Sequence, residues 1–247
     1  MDGAEGLGVN GDIVRIWVYL SASPLLWLTA TLVAYWIGDA VSARFGRHAL
    51  ANPVVIAAAL LTGLLVATGT DYARFFDGAQ FVHFLLGPAT VALAIPLYRN
   101  LAIVRRSLLP MAAALIAGSV TAAASAVAIA WAFGAPREVL ASLAPKSVTA
   151  PIAMELASSL GGLPALTAVL VIATGIIGAI VVTPLMNALR ITDYAARGFA
   201  AGVASHGIGT ARAFQVSELA GTFAGIAMGL NGALTSLLVL LWLAFAG

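Results

Sequence analysis

Apolar residues fall along this chain in long blocks, not at alternating positions. The blocks run from about Ile13 to Phe45, Asn52 to Gly69, Phe81 to Tyr98, Leu108 to Phe133, Leu163 to Leu189 and Leu219 to Ala246. Runs of this length with little or no interior charge predict helices that cross a bilayer. The first block is long enough for a surface-lying turn followed by a span starting near Pro24. A short polar segment with Asp71, Arg74 and Asp77 follows the second block, and the third block carries Gly87-Pro88 near its middle and Pro96 near its end. Residues 135–144 and 191–204 read as amphipathic helices, the second leading into a Gly-broken patch, Ser205-His-Gly-Ile-Gly-Thr-Ala-Arg212. Strand alternation is absent, which argues against a membrane barrel. The pattern therefore predicts an all-α polytopic membrane protein of about six to eight membrane segments. Residues 1–20 read as an N-terminal extension and 21–247 as a single transmembrane domain.

One stretch interrupts the pattern. Ser142-Leu-Ala-Pro-Lys-Ser-Val-Thr-Ala-Pro-Ile-Ala-Met-Glu155 holds two prolines, three hydroxyl residues, a lysine and a glutamate. It leaves about 15 residues before Gly161-Gly162, too few for a full crossing. A re-entrant arm or half of a broken helix fits it, because irregular backbone at membrane depth is tolerated only inside protein or beside a cavity. A shift of 57 residues lays Pro88-Ala-Thr-Val91 on Pro145-Lys-Ser-Val148, a weak sign of an internal repeat. In both places the proline suits the first position of a helix, where its missing N–H costs nothing. The free N–H groups of such a turn attract an anion, and repeat-built transporters use half-helix ends in this way.

Composition narrows the function classes. Hydrophobic residues make up 62% of the chain, charged residues 9%, and the mean hydropathy is +1.03, against roughly a quarter charged in soluble domains. A net charge of +2 gives no reason to expect nucleic acid as a partner. The absence of cysteine excludes disulfides and thiolate chemistry. No HExxH, GxSxG, Walker A or GxGxxG motif occurs, and the histidines at 48, 83 and 206 lack metal-ligand spacing. Catalysis, a cofactor and a metal are not expected. Asp2, Glu5 and Asp12 precede the first apolar run and no basic n-region does, so a cleaved signal peptide is not expected. Arginines concentrate at 44–48 and 99–106, which predicts that both segments face the cytoplasm.

The remaining polar residues each have two readings. Lys146 in the first turn of a helix opposes the dipole by roughly 0.3–1 kcal/mol, and at membrane depth it costs about 2.5–3.5 kcal/mol. Either an anion compensates it or its stem snorkels to the headgroups. Glu155 either pairs with Lys146 or Arg212 or faces water near Gly161-Gly162. His206, between Ser205 and Thr210 in a broken segment, is either a satisfied core residue or a proton carrier near neutral pH. His83 reads as structural, Asp39 and Glu218 as markers of helix ends, and Asn231 as an interhelical hydrogen-bonder. The small-xxx-small series Gly221, Gly225, Gly229 favours close helix contact, within the chain or across a homodimer.

The strings Phe84-Leu-Leu-Gly-Pro-Ala-Thr-Val-Ala-Leu-Ala-Ile-Pro-Leu-Tyr98, Pro145-Lys-Ser-Val-Thr-Ala-Pro-Ile-Ala-Met-Glu155, Gly161-Gly-Leu-Pro-Ala-Leu-Thr-Ala168 and Ala204-Ser-His-Gly-Ile-Gly-Thr-Ala-Arg212 closely resemble the LrgB/CidB family, in order and at matching spacing from about Pro24 to Leu243. Arg212 stands where a lysine is familiar and Ala150 where a threonine is. The resemblance implies a multi-pass bacterial cytoplasmic-membrane protein of one of two kinds. One is an antiholin-like regulator of murein hydrolase activity and lysis, acting with a small LrgA/CidA-type membrane partner. The other is a carrier of glycolate, glycerate, lactate or pyruvate, as in plastidial relatives and in bacterial relatives associated with pyruvate. The residues favour transport of a small carboxylate. The anion would sit between Pro88-Ala89-Thr90 and Pro145-Lys146-Ser147, with Thr149, Ser205, His206 and Arg212 completing the site and Glu155 or His206 carrying a coupling proton. Partners on this reading are the carboxylate and membrane lipid.

Overall fold

The structure is a computed structural model that describes residues 23–48, 50–85, 88, 91–92 and 94–246. Eleven helices fall among these residues: α1 (Pro24–Arg44), α2 (Pro53–Thr68), α3 (Tyr72–Phe84), α4 (Ala94–Arg99), α5 (Leu101–Arg106), α6 (Leu108–Ala132), α7 (Arg137–Leu143), α8 (Ala150–Ser159), α9 (Pro164–Ala188), α10 (Tyr194–Val216) and α11 (Glu218–Ala246). No strand occurs among them. Among the described residues four helices are long and apolar enough to cross a membrane: α1, α6, α9 and α11 up to Ala244. The block at 52–69 forms α2, whose 16 residues reach only about 24 Å, short of a hydrocarbon core of about 30 Å.

The chain divides into two units, one ending at Ala92 and one beginning at Leu93. In the first, α1 packs on α2 and α3. Trp27 is fully buried and meets Phe75 edge to face at 6.0 Å. A Cβ at Gly78 would lie 2.1 Å from the Pro24 carbonyl, and one at Gly38 would lie 2.5 Å from that of Pro53, so glycine sets both crossings. Asn52 Oδ1 caps α2 by accepting from Val54 N at 2.8 Å, and Gly69 closes it in the left-handed conformation. Arg74 and Asp77 of the polar segment lie on α3, with Asp71 immediately before it, and the three are spaced three apart so as to share a helix side. Asp39 is in the last turns of α1 and takes two bonds from the Arg47 guanidinium, at 2.7 and 3.3 Å.

The second unit holds three of the four spans, α6, α9 and α11. Their ends match the apolar blocks closely, because Pro164 pre-sets the start of α9 and Glu218 favours the N-terminal dipole end of α11. Helix α10 is bracketed by α9 and α11. Its first arm meets α11 backbone to backbone: a Cβ at Gly198 would lie 2.0 Å from the Ala220 carbonyl, and one at Gly202 2.1 Å from that of Ala224. The close approach expected of Gly221, Gly225 and Gly229 is therefore made by glycines of the facing helix. Gly221 is instead roofed by the Phe214 ring, and Gly229 has open space beside it.

Helix α10 does not run straight. His206 sits at φ 41 and ψ −131, and a Cβ on Gly209 would lie 2.7 Å from the Ala201 carbonyl oxygen. Eight residues of unbroken helix would separate those two levels by about 12 Å. The chain therefore folds back at His206, and α10 is two short arms, 194–205 and 207–216, joined at a buried tip.

These contacts predict that Gly202→Leu, which drives a side chain into the Ala224 backbone, destabilises the protein by at least the 1–3 kcal/mol typical of overpacking. Gly229→Ala, with nothing to strike, should hold or raise stability through helix propensity. Thermal unfolding of the two purified variants in detergent checks the contrast.

Candidate functional site

The Pro145 stretch is a turn that links α7 to α8. Lys146 N donates to Leu143 O and Val148 N to Pro145 O, each at 3.1 Å, and α8 begins only at Ala150. Thr149 is the extended residue before it, and its side chain does not cap it. Pro145 therefore does not occupy a first helical position. Pro151 takes that role within the first turn of α8, because the buried Pro145 and Val148 are needed as the apolar anchors of the turn. Val148 packs with Ala153 and with Val171 of α9. Ser142 fixes the base of this element. Its Oγ donates to Glu138 O and accepts from Leu163 N, both at 2.7 Å, while Thr167 Oγ1 donates to its carbonyl at 3.2 Å.

Lys146 lies just past the C-terminal end of α7, where the dipole favours a cation, and not in the first turn of a helix. It is half-buried, and its ammonium donates to Ser147 Oγ at 3.2 Å. Among the described residues it has no carboxylate partner. An ammonium has three protons to place, so one neutral hydroxyl is an incomplete set for a cation that has lost part of its hydration.

Asn231, at the midpoint of α11, ties this turn to the rest of the unit. Its Nδ2 donates to Ser147 O at 3.0 Å and to Val203 O at 3.1 Å, and its Oδ1 accepts from Ser119 Oγ at 2.5 Å. Four elements meet on one buried carboxamide: the 144–149 turn, the first arm of α10, α6 and α11. Val203 is in the last turn before the reversal, where carbonyls lose their regular helical donors.

The tip of α10 is set against the middle of α9. A Cβ at Gly175 would lie 2.7 Å from His206 Cε1, and one at Gly178 would lie 1.6 Å from Ser205 Oγ. His206 Nε2 is 2.9 Å from the Val171 carbonyl, which only accepts, so the proton resides on Nε2 in this contact. Thr210 Oγ1 donates to His206 O at 2.8 Å. Ser205 is 1% exposed, and its hydroxyl has no hydrogen-bond partner among the described residues. The Lys146 ammonium is within electrostatic reach of the His206 ring.

Of the sequence-predicted residues, the structure brings Pro145, Lys146, Ser147 and Thr149 into one turn, and links that turn through Asn231 to the arm that ends in Ser205 and His206. Arg212 is further along the second arm. Its Nη1 donates to Gln215 Oε1 at 3.2 Å, and with Arg197 it lines a narrow cleft against Thr183. Glu155 is exposed and makes no ion pair with a described residue. Pro88 is helical and exposed in the first unit, and Ala89 and Thr90 lie outside the described residues. Sequence reading missed Gly175, Gly178 and Ser119, and it placed Ser142 in the polar stretch without its partners. A serine or glycine in an Ala-rich span carries no signal until its partner is known, whereas a lone amide such as Asn231 does.

Replacing Asn231 with Leu leaves two buried carbonyls and one hydroxyl without partners, at about 1–3 kcal/mol for each stranded group. Asn231→Leu should therefore lower the unfolding midpoint well below that of Ser119→Ala, which strands a single acceptor. Equilibrium unfolding in mixed micelles gives the order.

Comparison with known proteins matches this architecture to one group. The LrgB-like family profile covers residues 31–245. A Bacillus subtilis (strain 168) protein, YwbG, described as uncharacterized, is 34% identical over 208 residues, covering 84% of this chain and 92% of the relative. The holin-like protein CidB of Staphylococcus epidermidis (strain RP62A) is 29% identical over 221 residues, 90% of this chain and 95% of the relative. The holin-like protein CidB of Staphylococcus aureus (strain Mu50) is 29% identical over 215 residues, 87% and 93% respectively. No solved structure matches. Four apolar spans and a family match across nearly the whole chain make this a multi-pass protein of the bacterial cell membrane, and the chain belongs to the LrgB family.

Proposed function

We propose that the turn at 145–149 and the tip of α10 bind a small monocarboxylate of the glycolate, glycerate, lactate or pyruvate class, and that the protein lets it cross the bilayer. The observation that carries this reading is Lys146, half-buried, without a carboxylate partner among the described residues and bonded to one hydroxyl. Its surroundings support it. The N-terminus of α8 approaches Val171 through Val148 and Ala153, and the second arm of α10 starts at the same level, where His206 meets the Val171 carbonyl. On this reading the starts of α8 and of the second α10 arm, both near Val171, would present N–H groups to the carboxylate. Gly175 and Gly178 are near the midpoint of α9, Asn231 of α11 and Ser119 of α6, which supports a site at mid-membrane. On this reading α7, the turn and α8 are a re-entrant hairpin. Ser147, Thr149 and Ser205 hydrogen-bond the ligand, and His206 is the proton carrier in preference to the exposed Glu155.

The names of the CidB relatives support a second reading, and support it better than they support transport. It is an antiholin-like regulator of murein hydrolase activity and cell lysis that works with a small LrgA/CidA-type membrane partner. The two readings separate in proteoliposomes. Transport predicts that the purified chain alone takes up labelled pyruvate or glycolate. Lys146→Gln should cut that uptake about 10- to 100-fold, from the loss of a charge-assisted bond of about 1.5–3 kcal/mol, while Glu155→Gln leaves it within a few-fold. Regulation predicts no uptake by the chain alone, with co-purification of the holin-like partner unaffected by Lys146→Gln.

A further inference from the structure

Away from the candidate site, a groove of about 470 Å³ opens between α6, α7 and α11. Its deep end is Ser119, at the midpoint of α6, the residue whose hydroxyl bonds the Asn231 carboxamide. From there it follows α6 to Val127 and α11 to Trp242, a depth of about 12 Å at 1.5 Å per residue. That is close to one leaflet of a hydrocarbon core about 30 Å thick. The walls are apolar and slim, with Ala123 and Ala124 on α6 and Ala141 on α7 leaving room for a chain of methylenes. The mouth has a different character. Arg137 lines it from the start of α7, without an ion pair to any described residue, and Trp242 lines it from the end of α11. Trp131 and Phe133, at the same end of α6, are 71% and 88% exposed. Aromatic rings gather at the headgroup level of a bilayer, and an arginine there binds phosphate in two-point fashion.

From this combination of a leaflet-deep apolar slot with a guanidinium at its headgroup end that pairs with no described carboxylate, we infer that the groove is the seat of a single anionic phospholipid. One acyl chain fills the slot down to Ser119 and the phosphate bonds Arg137. Glu138, next along α7, does not line the groove and so does not oppose the phosphate. A lipid seated there presses on the α6 serine that holds Asn231, so its occupancy stiffens the junction that carries the 144–149 turn.

The full chain, purified in a neutral detergent and stripped of lipid, provides the test. Phosphatidylglycerol, phosphatidylcholine with the same acyl chains and inorganic phosphate are added separately, and bound lipid is read by native mass spectrometry alongside the thermal midpoint. One phosphatidylglycerol should be retained per chain, with a rise of several degrees in the midpoint. Phosphatidylcholine should bind at least tenfold more weakly, and phosphate alone should do nothing. Arg137→Gln, at an exposed position, should reduce phosphatidylglycerol to the level of phosphatidylcholine, and Ala124→Trp should abolish retention of both. Equal retention of the two lipids by the wild type, unchanged preference in Arg137→Gln, or a midpoint raised equally by inorganic phosphate would overturn the inference. So would a dimer that Ala124→Trp dissociates and that retains no lipid, because a second copy would then be the occupant.

Discussion

A chain that breaks its helices away from water strands backbone carbonyls that only other protein groups can satisfy. In this protein the demand falls on the carboxamide of Asn231, whose two protons reach Ser147 O and Val203 O while its oxygen is held by Ser119. The 144–149 turn and the folded-back α10 are two irregular segments of the second unit, and this one side chain satisfies a carbonyl in each. A hydrocarbon residue at 231 would suit the span better and would leave both segments without a donor. The polar residue in an apolar helix is therefore the condition under which the rest can be irregular.

Small residues provide the space for that irregularity. Gly198 and Gly202 let the first arm of α10 lie on the carbonyls of Ala220 and Ala224, and Gly175 and Gly178 notch α9 to receive His206 and Ser205. The reversal holds His206 in a backbone region that a side chain disfavours by of order 1–3 kcal/mol. Ser205, buried without a partner, adds a further unfavourable term. A fold that keeps strain, an orphan hydroxyl and a half-buried ammonium around one level of α9 concentrates its unfavourable terms where a ligand would relieve them. The anion site proposed above lies at this level.

Much of this was legible in the sequence, for identifiable reasons. The ends of α6, α9 and α11 follow the apolar blocks to within a residue or two, since hydrophobicity and helix-starting signals such as Pro164 coincide there. The Ser142–Glu155 stretch and the Ser205–Arg212 patch stand out because polar residues in such surroundings need a reason, and Asn231 stands out on the same ground. Pro145 misleads because two prolines, at 145 and 151, compete for one helix start, and burial of Pro145 and Val148 decides between them. The pairing of Gly221, Gly225 and Gly229 misleads because a small-residue series shows that a helix can be approached closely and not which helix does so. The partners of Ser119, Ser142 and Gly178 were beyond reach, since nothing local distinguishes these from other small residues.

The central claim is that Lys146 and Ser147 present an anion site at the level of the α10 tip. An experimental map of the full chain in lipid nanodiscs with saturating pyruvate tests it most directly. The account predicts carboxylate density about 2.7–2.9 Å from Lys146 Nζ, the length of a charge-assisted bond, with Ser147 Oγ beside it. A Lys146 side chain extended to the headgroup region, with no density at the turn, would contradict it.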